Sequence, residues 1–384
     1  MNYLLQRRSA LAQAMKTHGV DGFLVTTPVN VTYLTGFTGG DSFLAVAPKN
    51  EIVISDTRYE AQIAEECADL EAHIRPHTRT TLEAAAEVLT RSGAKSVGVE
   101  GNRITLGDLE QLKQLAPKVT FVSLDGLVEA QRLIKDPSEV EKIREAVRVA
   151  ERGFRMFVAT LREADTEKDM VDALEGYVRR AGARCTSFPP IVAVGERGAL
   201  PHAPPTSKPL GDGSKLLVDW GADLLYKSDL TRTVRSPFGT APSRRNKKER
   251  VEYDFEEVYA VVLAAQNAAL ATVRAGAKAK DVDAAARKVF AAARLRSERH
   301  SGLQLGDYFT HGLGHGIGLE IHEGPKIRAN SEDVLEAGMV VTIEPGVYIP
   351  NWGGIRIEDD VLVTNDGCRL LSTLPREPAT IAYS

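Results

Sequence analysis

Thr310-His311-Gly-Leu-Gly-His315-Gly-Ile-Gly-Leu-Glu320-Ile-His322-Glu323 holds three of the chain's eight histidines, interleaved with glycine. His311 and His315 are four apart, a spacing that would suit a zinc pair on a helix. The glycines argue against a helix, because each costs about 1 kcal/mol relative to alanine in a helix interior. Gly312 also stands where an H-E-x-x-H motif needs its glutamate. The glycines do not follow G-x-G-x-x-G, and no Lys-Ser/Thr pair follows, so a phosphate cradle is unsupported. The segment reads as extended or looped backbone, and its histidine density points to a site.

Carboxylates elsewhere in the chain lie where such a site could use them. The apolar run Leu216-Leu-Val ends on Asp219, and Lys227-Ser-Asp229-Leu-Thr-Arg-Thr233 follows, so a strand–turn–strand unit would bring Asp219 and Asp229 together. Met339-Val-Val-Thr-Ile-Glu344 and Gly354-Ile-Arg356-Ile-Glu358 each place a glutamate in or at the end of a strand pattern. A carboxylate buried in a strand is costly unless it is paired or metal-bound. Asp219, Asp229, His315, Glu344 and Glu358 together make a hard, oxygen-rich donor set. It suits Mn2+, Co2+ or Fe2+, with Zn2+ also allowed. Four negative charges on five ligands suit two divalent ions better than one.

The chain around this set is long enough for two domains, with 384 residues, 43% of them hydrophobic and 26% charged. A net charge of −4 lacks the strongly basic balance expected of a protein whose main partner is nucleic acid. Three scattered cysteines, Cys67, Cys185 and Cys368, are no disulfide framework. The N-terminal stretch lacks the apolar core of a secretory signal and no run of about 18 apolar residues occurs, so a cytoplasmic protein without a membrane span is expected. Helix-like and strand-like segments alternate through the first ~130 residues, the pattern of an α/β layer domain. Asp136-Pro137 with Glu139 marks the start of a long helix. A shared Lys-Asp and Val-Asp-Ala pattern at Glu167–Leu174 and Ala279–Ala285 hints that the second domain is internally duplicated. The basic run Arg244–Arg250 is followed by acidic residues and reads as a solvated loop.

The five ligand candidates, each in its motif, resemble the pita-bread metallopeptidases that act on Xaa-Pro bonds, aminopeptidase P and prolidase. Tyr33-Leu-Thr-Gly-Phe-Thr-Gly39, Asp56-Thr-Arg-Tyr59 and Leu133-Ile-Lys-Asp-Pro-Ser-Glu139 extend the resemblance over nearly the whole chain. It implies an α+β fold, with a creatinase-like α/β domain over residues 1–132 and a pita-bread catalytic domain over residues 133–384. It implies two divalent ions, Mn2+ foremost, held by Asp219, the bridging Asp229 and Glu358, His315 and Glu344. His202, His311 and His322 match substrate-contacting or supporting histidines, Glu344 a proton shuttle, and Arg356 an arginine beside the bridging glutamate. The substrate is expected to be a peptide with proline at its second position, and a homodimer is expected. The Asp56-Thr-Arg-Tyr59 style leans to aminopeptidase P, which releases the N-terminal residue. Prolidase is the alternative, and Arg328 is the candidate clamp for its substrate's terminal carboxylate. A non-catalytic binding module would show gaps among the five ligands, and none is seen. Two features depart from the family pattern: Asp219 and Asp229 are ten rather than eleven apart, and Ser236–Glu252 is longer and more charged than expected.

Overall fold

The computed structural model describes residues 3–48, 50–238, 253–295 and 304–379. The basic run Arg244–Arg250 and nearly all of Ser236–Glu252 lie outside them. The chain divides into two compact units, Met1–Arg132 and Leu133–Ser384.

The first unit is a six-stranded mixed sheet with helices packed on it. Its strand order is Glu71–Arg75, Glu51–Asp56, Phe43–Val46, Gly22–Val25, Ser96–Val99, Thr120–Ser123. Leu24, Ile52, Ile54, Val97 and Val99 on the sheet meet Ala84, Ala85, Val88 and Leu89 of the helix Thr81–Ser92. That helix starts on a reciprocal capping box between Thr80 and Glu83 and stops at Gly93, whose φ is 78°. Such caps satisfy the amide and carbonyl groups that helix ends leave open.

The second unit repeats one plan twice, a pair of helices followed by antiparallel strands. The first pair is Pro137–Val158 and Glu167–Arg180, and the second is Phe255–Leu270 and Ala279–Ala292. The two related motifs open the second helix of each pair. Pro137–Val158 begins as its sequence dictates: Asp136 accepts from the amides of Ser138 and Glu139, and Pro137 has no amide to leave open. The helix buries Phe154 against Trp220, the rings stacked with centroids 4.2 Å apart, and the Trp220 indole donates to the Ala150 carbonyl. An aromatic pair of this kind contributes roughly 1 kcal/mol beyond its buried area.

Two sheets of this unit carry the acidic residues. Lys215–Trp220 is the centre of a three-stranded sheet, between Ile191–Val194 and Leu230–Arg235. Asp219 lies directly opposite Thr231. The ten-residue spacing to Asp229 leaves this pairing intact, and the two strands are joined through an outer turn. There Ala222–Leu224 and Tyr226–Lys227 form a tight hairpin about Leu225, whose φ is 88°. A five-stranded sheet has the order Glu323–Ile327, Gly314–Gly316, Val340–Ile343, Asp359–Val363, Cys368–Leu370. The Gly314–Gly316 strand explains the glycine spacing. A Cβ on Gly314 would lie 2.0 Å from the Thr342 carbonyl oxygen, and one on Gly316 1.8 Å from that of Gly324. Only glycine allows both neighbouring strands this close to His315. Among the described residues no helix is long and apolar enough to cross a membrane.

Candidate metal centre

The sheets bring the five predicted residues to one cleft. Asp219, Asp229, His315, Glu344 and Glu358 all line a cavity of about 660 Å3, together with His202, His311, His322 and Arg356. Asp219 comes from a strand interior, Asp229 precedes the strand Leu230–Arg235, and Glu344 follows Val340–Ile343. Glu358 lies between two strands and bridges by its backbone to Thr231. Ligand atoms of Asp229, His315 and Glu358 lie within 4.8 Å of one another. His315 Nε2 is 3.6 Å from Asp229 Oδ2 and 3.6 Å from Glu344 Oε1.

Hydrogen bonding shows what this geometry is suited to hold. His315 Nδ1 contacts the Gly316 carbonyl oxygen at 3.1 Å. A carbonyl only accepts, so Nδ1 carries the proton. Burial holds the imidazole pKa down, to about 4, so Nε2 carries a bare lone pair. That lone pair faces two carboxylates with no donor between them. Asp219 Oδ1 is likewise buried without a hydrogen-bond partner. Burial and mutual repulsion raise the carboxyl pKa of Asp229 and Glu358 far above the usual range. Burial lifts Glu344 to about 8. Buried carboxyl groups converging on one another and on a bare imidazole nitrogen, with their charge suppressed by one another, are the signature of a cation site. The residues therefore fit divalent metal ions.

The surroundings hold the acids in place. Arg356 is buried and donates to Asp219 Oδ2 at 2.5 Å, to Tyr348 Oη at 2.7 Å and to Thr231 Oγ1 at 3.0 Å. Thr231 donates in turn to Glu358 Oε2 at 2.6 Å. His311 Nδ1 contacts the Gly312 carbonyl, so its Nε2 accepts from the Tyr348 hydroxyl at 2.8 Å. His311 thus stands behind the acids on the Tyr348–Arg356 relay. His202 and His322 are exposed on the cleft wall, and the His322 ring centroid is 4.5 Å from that of His315.

Several contributors escaped the sequence reading. The Asp229 amide donates to Asp360 Oδ2 at 3.0 Å. The Gln266 amide donates to the carbonyls of Ile343 and Ile357, which precede Glu344 and Glu358, at 3.2 and 3.3 Å, and to Asp359 Oδ2 at 2.9 Å. Arg232 donates to the Glu358 carbonyl and pairs with Asp359, both at 2.7 Å. Gln266 could have been suspected, as an amide at the end of the apolar stretch Val261-Val-Leu-Ala-Ala-Gln266.

This fold and site define a metallopeptidase of the pita-bread type. Residues 141–365 match the model of metallopeptidase family M24, and residues 7–134 match the creatinase/prolidase N-terminal domain. The chain belongs to the M24 family of Xaa-Pro peptidases, with a creatinase-like first domain and an M24 catalytic domain. It is 33% identical to the Xaa-Pro dipeptidase of Pyrococcus furiosus over 97% of this chain and 99% of that protein. Among solved structures, the Xaa-Pro dipeptidase from Bacillus anthracis superposes with a TM-score of 0.86 at 33% identity, covering 98% of this chain and 99% of that one. The X-Pro aminopeptidase from Thermotoga maritima gives a TM-score of 0.83 at 32% identity, covering 96% and 99%.

Glu344 has a folded-state pKa of about 8 against an ordinary 4.5. Between these values the unfolded chain is ionised there while the fold retains the proton, so the metal-free protein loses stability as pH rises through that window. A bound divalent ion takes the proton's place. Thermal unfolding with Mn2+ in hundredfold excess over Kd should show stabilisation of about 3 kcal/mol. With the Mn2+ concentration held at that value, the gain should be larger at about pH 8 than at about pH 5.5, and equal gains would contradict the assignment. Gln266→Leu should lower Mn2+ affinity roughly tenfold to a hundredfold by calorimetry, by freeing the two glutamate-bearing strands. Val262→Ala, buried on the same helix, should lower stability while sparing that affinity.

Proposed function

We propose that this chain is a dinuclear-metal peptidase that hydrolyses Xaa-Pro bonds, with Xaa-Pro dipeptides as its preferred substrates. The observation that carries the reading is the gathering of Asp219, Asp229, Glu344 and Glu358 in one cleft with His315, whose bare Nε2 lies 3.6 Å from both Asp229 and Glu344. Asp219, Asp229, His315, Glu344 and Glu358 would hold the two ions, with Asp229 and Glu358 shared between them. Bound there, the ions would supply an activated water near neutral pH and Lewis-acid stabilisation of a developing oxyanion.

The chain's own residues do the rest. His322 and His202, on the wall, donate to the carbonyl oxygen of the scissile bond as charge develops on it. The carboxylate of Glu344 takes a proton from the attacking water and passes it to the proline nitrogen as that nitrogen leaves. Arg356 fixes Asp219 and is itself held by Tyr348, so the acids keep their geometry through the reaction. Phe188, Pro189, Pro190, Pro204 and Ile321 give the cleft apolar surface for the proline ring. That ring has no amide hydrogen and needs no acceptor from the protein.

The dipeptide preference is supported by Arg328, which lines the same cleft and can clamp a terminal carboxylate bidentately. The relatives named as Xaa-Pro dipeptidases point the same way. Aminopeptidase P, favoured by the sequence, is the second reading, supported by the likeness to the Thermotoga X-Pro aminopeptidase. Hydrolysis of Leu-Pro and Leu-Pro-Gly by the Mn2+-loaded protein separates them. The expected result is a kcat/KM for the dipeptide at least about tenfold higher, because a terminal charge pair is worth roughly 1.5–3 kcal/mol. Preferential release of leucine from the tripeptide would instead establish the aminopeptidase.

A further inference from the structure

The strand Glu323–Ile327 pairs antiparallel with Gly314–Gly316, and Lys326 is directly opposite His315. Directly opposed residues share one face of a sheet, so Lys326 projects beside His315 into the cleft. Ile327 turns to the other face and is fully buried there. Two residues on from Lys326 the chain returns to the cleft with Arg328. Lys326 and Arg328 both line the cavity. Among the described residues neither cation forms an ion pair, whereas Arg356, the other cation of the cleft, is paired with Asp219.

Two unpaired cations on the wall of one cleft match two anionic groups in its ligand. An Xaa-Pro dipeptide offers one at its terminus, and the proline ring offers none. Resting on the Xaa-Pro hydrolase reading, and with Arg328 on the terminal carboxylate, we propose that Lys326 receives a second carboxylate, the side chain of an acidic Xaa residue. Glu-Pro and Asp-Pro are then favoured over their neutral isosteres. Lysine suits this task as a compact charge on a flexible stem that adjusts to either acid length. The apolar wall leaves neutral side chains acceptable, so the preference is graded.

The test is kcat/KM of the Mn2+-loaded protein for Glu-Pro, Gln-Pro and Lys-Pro at low ionic strength. Glu-Pro should exceed Gln-Pro by about fivefold to tenfold, the range for a partly solvated charge pair. The ratio should shrink as salt is added, because exposed charges are screened. It should fall to about one in Lys326→Met, and Lys326→Glu should turn the preference toward Lys-Pro. A Glu-Pro to Gln-Pro ratio of one in the unmodified protein would overturn the proposal. So would a ratio unchanged in Lys326→Met, or equal slowing of both dipeptides, which would mean that both cations hold the terminal carboxylate. Calorimetric binding of Glu-Pro and Gln-Pro separates this from failure of the hydrolase reading. Tighter binding of Glu-Pro that depends on Lys326, without hydrolysis, would sink the hydrolase and keep the subsite, and equal binding would sink the subsite.

Discussion

The rest of the catalytic unit is arranged around one unfavourable interaction, the repulsion among acids buried together beside His315. Asp219, Asp229, Glu358 and Asp360 are at most 8% exposed, and Glu344 stands with them in the cleft, against the buried guanidinium of Arg356. Removing charge of one sign from water is expensive, and in the absence of cations the acids respond by keeping their protons. A fold that tolerates this must hold each carboxyl through rigid backbone, since the side chains would otherwise swing apart. Every acid here sits within, or at the edge of, a strand whose neighbours are fixed.

The fixing is done by uncharged or internally neutralised contacts. Gln266 reaches from a helix to the carbonyls just before Glu344 and Glu358, so one side chain sets the separation of two acids on different strands. Arg232 ties the Glu358 carbonyl to Asp359, Leu374 and Pro375, and Asp359 is neutralised in the same contact. Thr231 links Glu358 to Arg356 through one hydroxyl. None of these groups adds net negative charge at the cleft. The glycines at 314 and 316 serve the same end by sterics, letting the His315 strand lie tightly between its neighbours.

This division explains what could be read from the sequence. The acids were visible because charge in an apolar strand is an anomaly, and His315 because its glycine neighbours rule out a helix. The pita-bread fold followed from those motifs taken together. The scaffold was less visible because its members look ordinary. Tyr348 and Gln266 occupy apolar stretches where either could be simple core, and Asp360 stands two residues from Glu358, which already carried the reading. The helix Pro28–Thr35 was overlooked for a different reason. Its Val29, Val31 and Thr32 favour strands, and only packing and the terminal Gly36, with φ of 81°, make it helical. The strand Glu71–Arg75 was overlooked because its partly exposed residues show no alternation. The short spacing of Asp219 and Asp229 did not disturb the strand register, since Asp219 lies opposite Thr231.

The central claim is that Asp219, Asp229, His315, Glu344 and Glu358 form one site for two divalent ions. Equilibrium dialysis against Mn2+, with metal counted per chain, tests it most directly. The account predicts two ions per chain for the unmodified protein, and fewer than two for a folded Glu358→Gln, which removes a shared ligand. Binding of one ion or none, or two retained in Glu358→Gln, would contradict it.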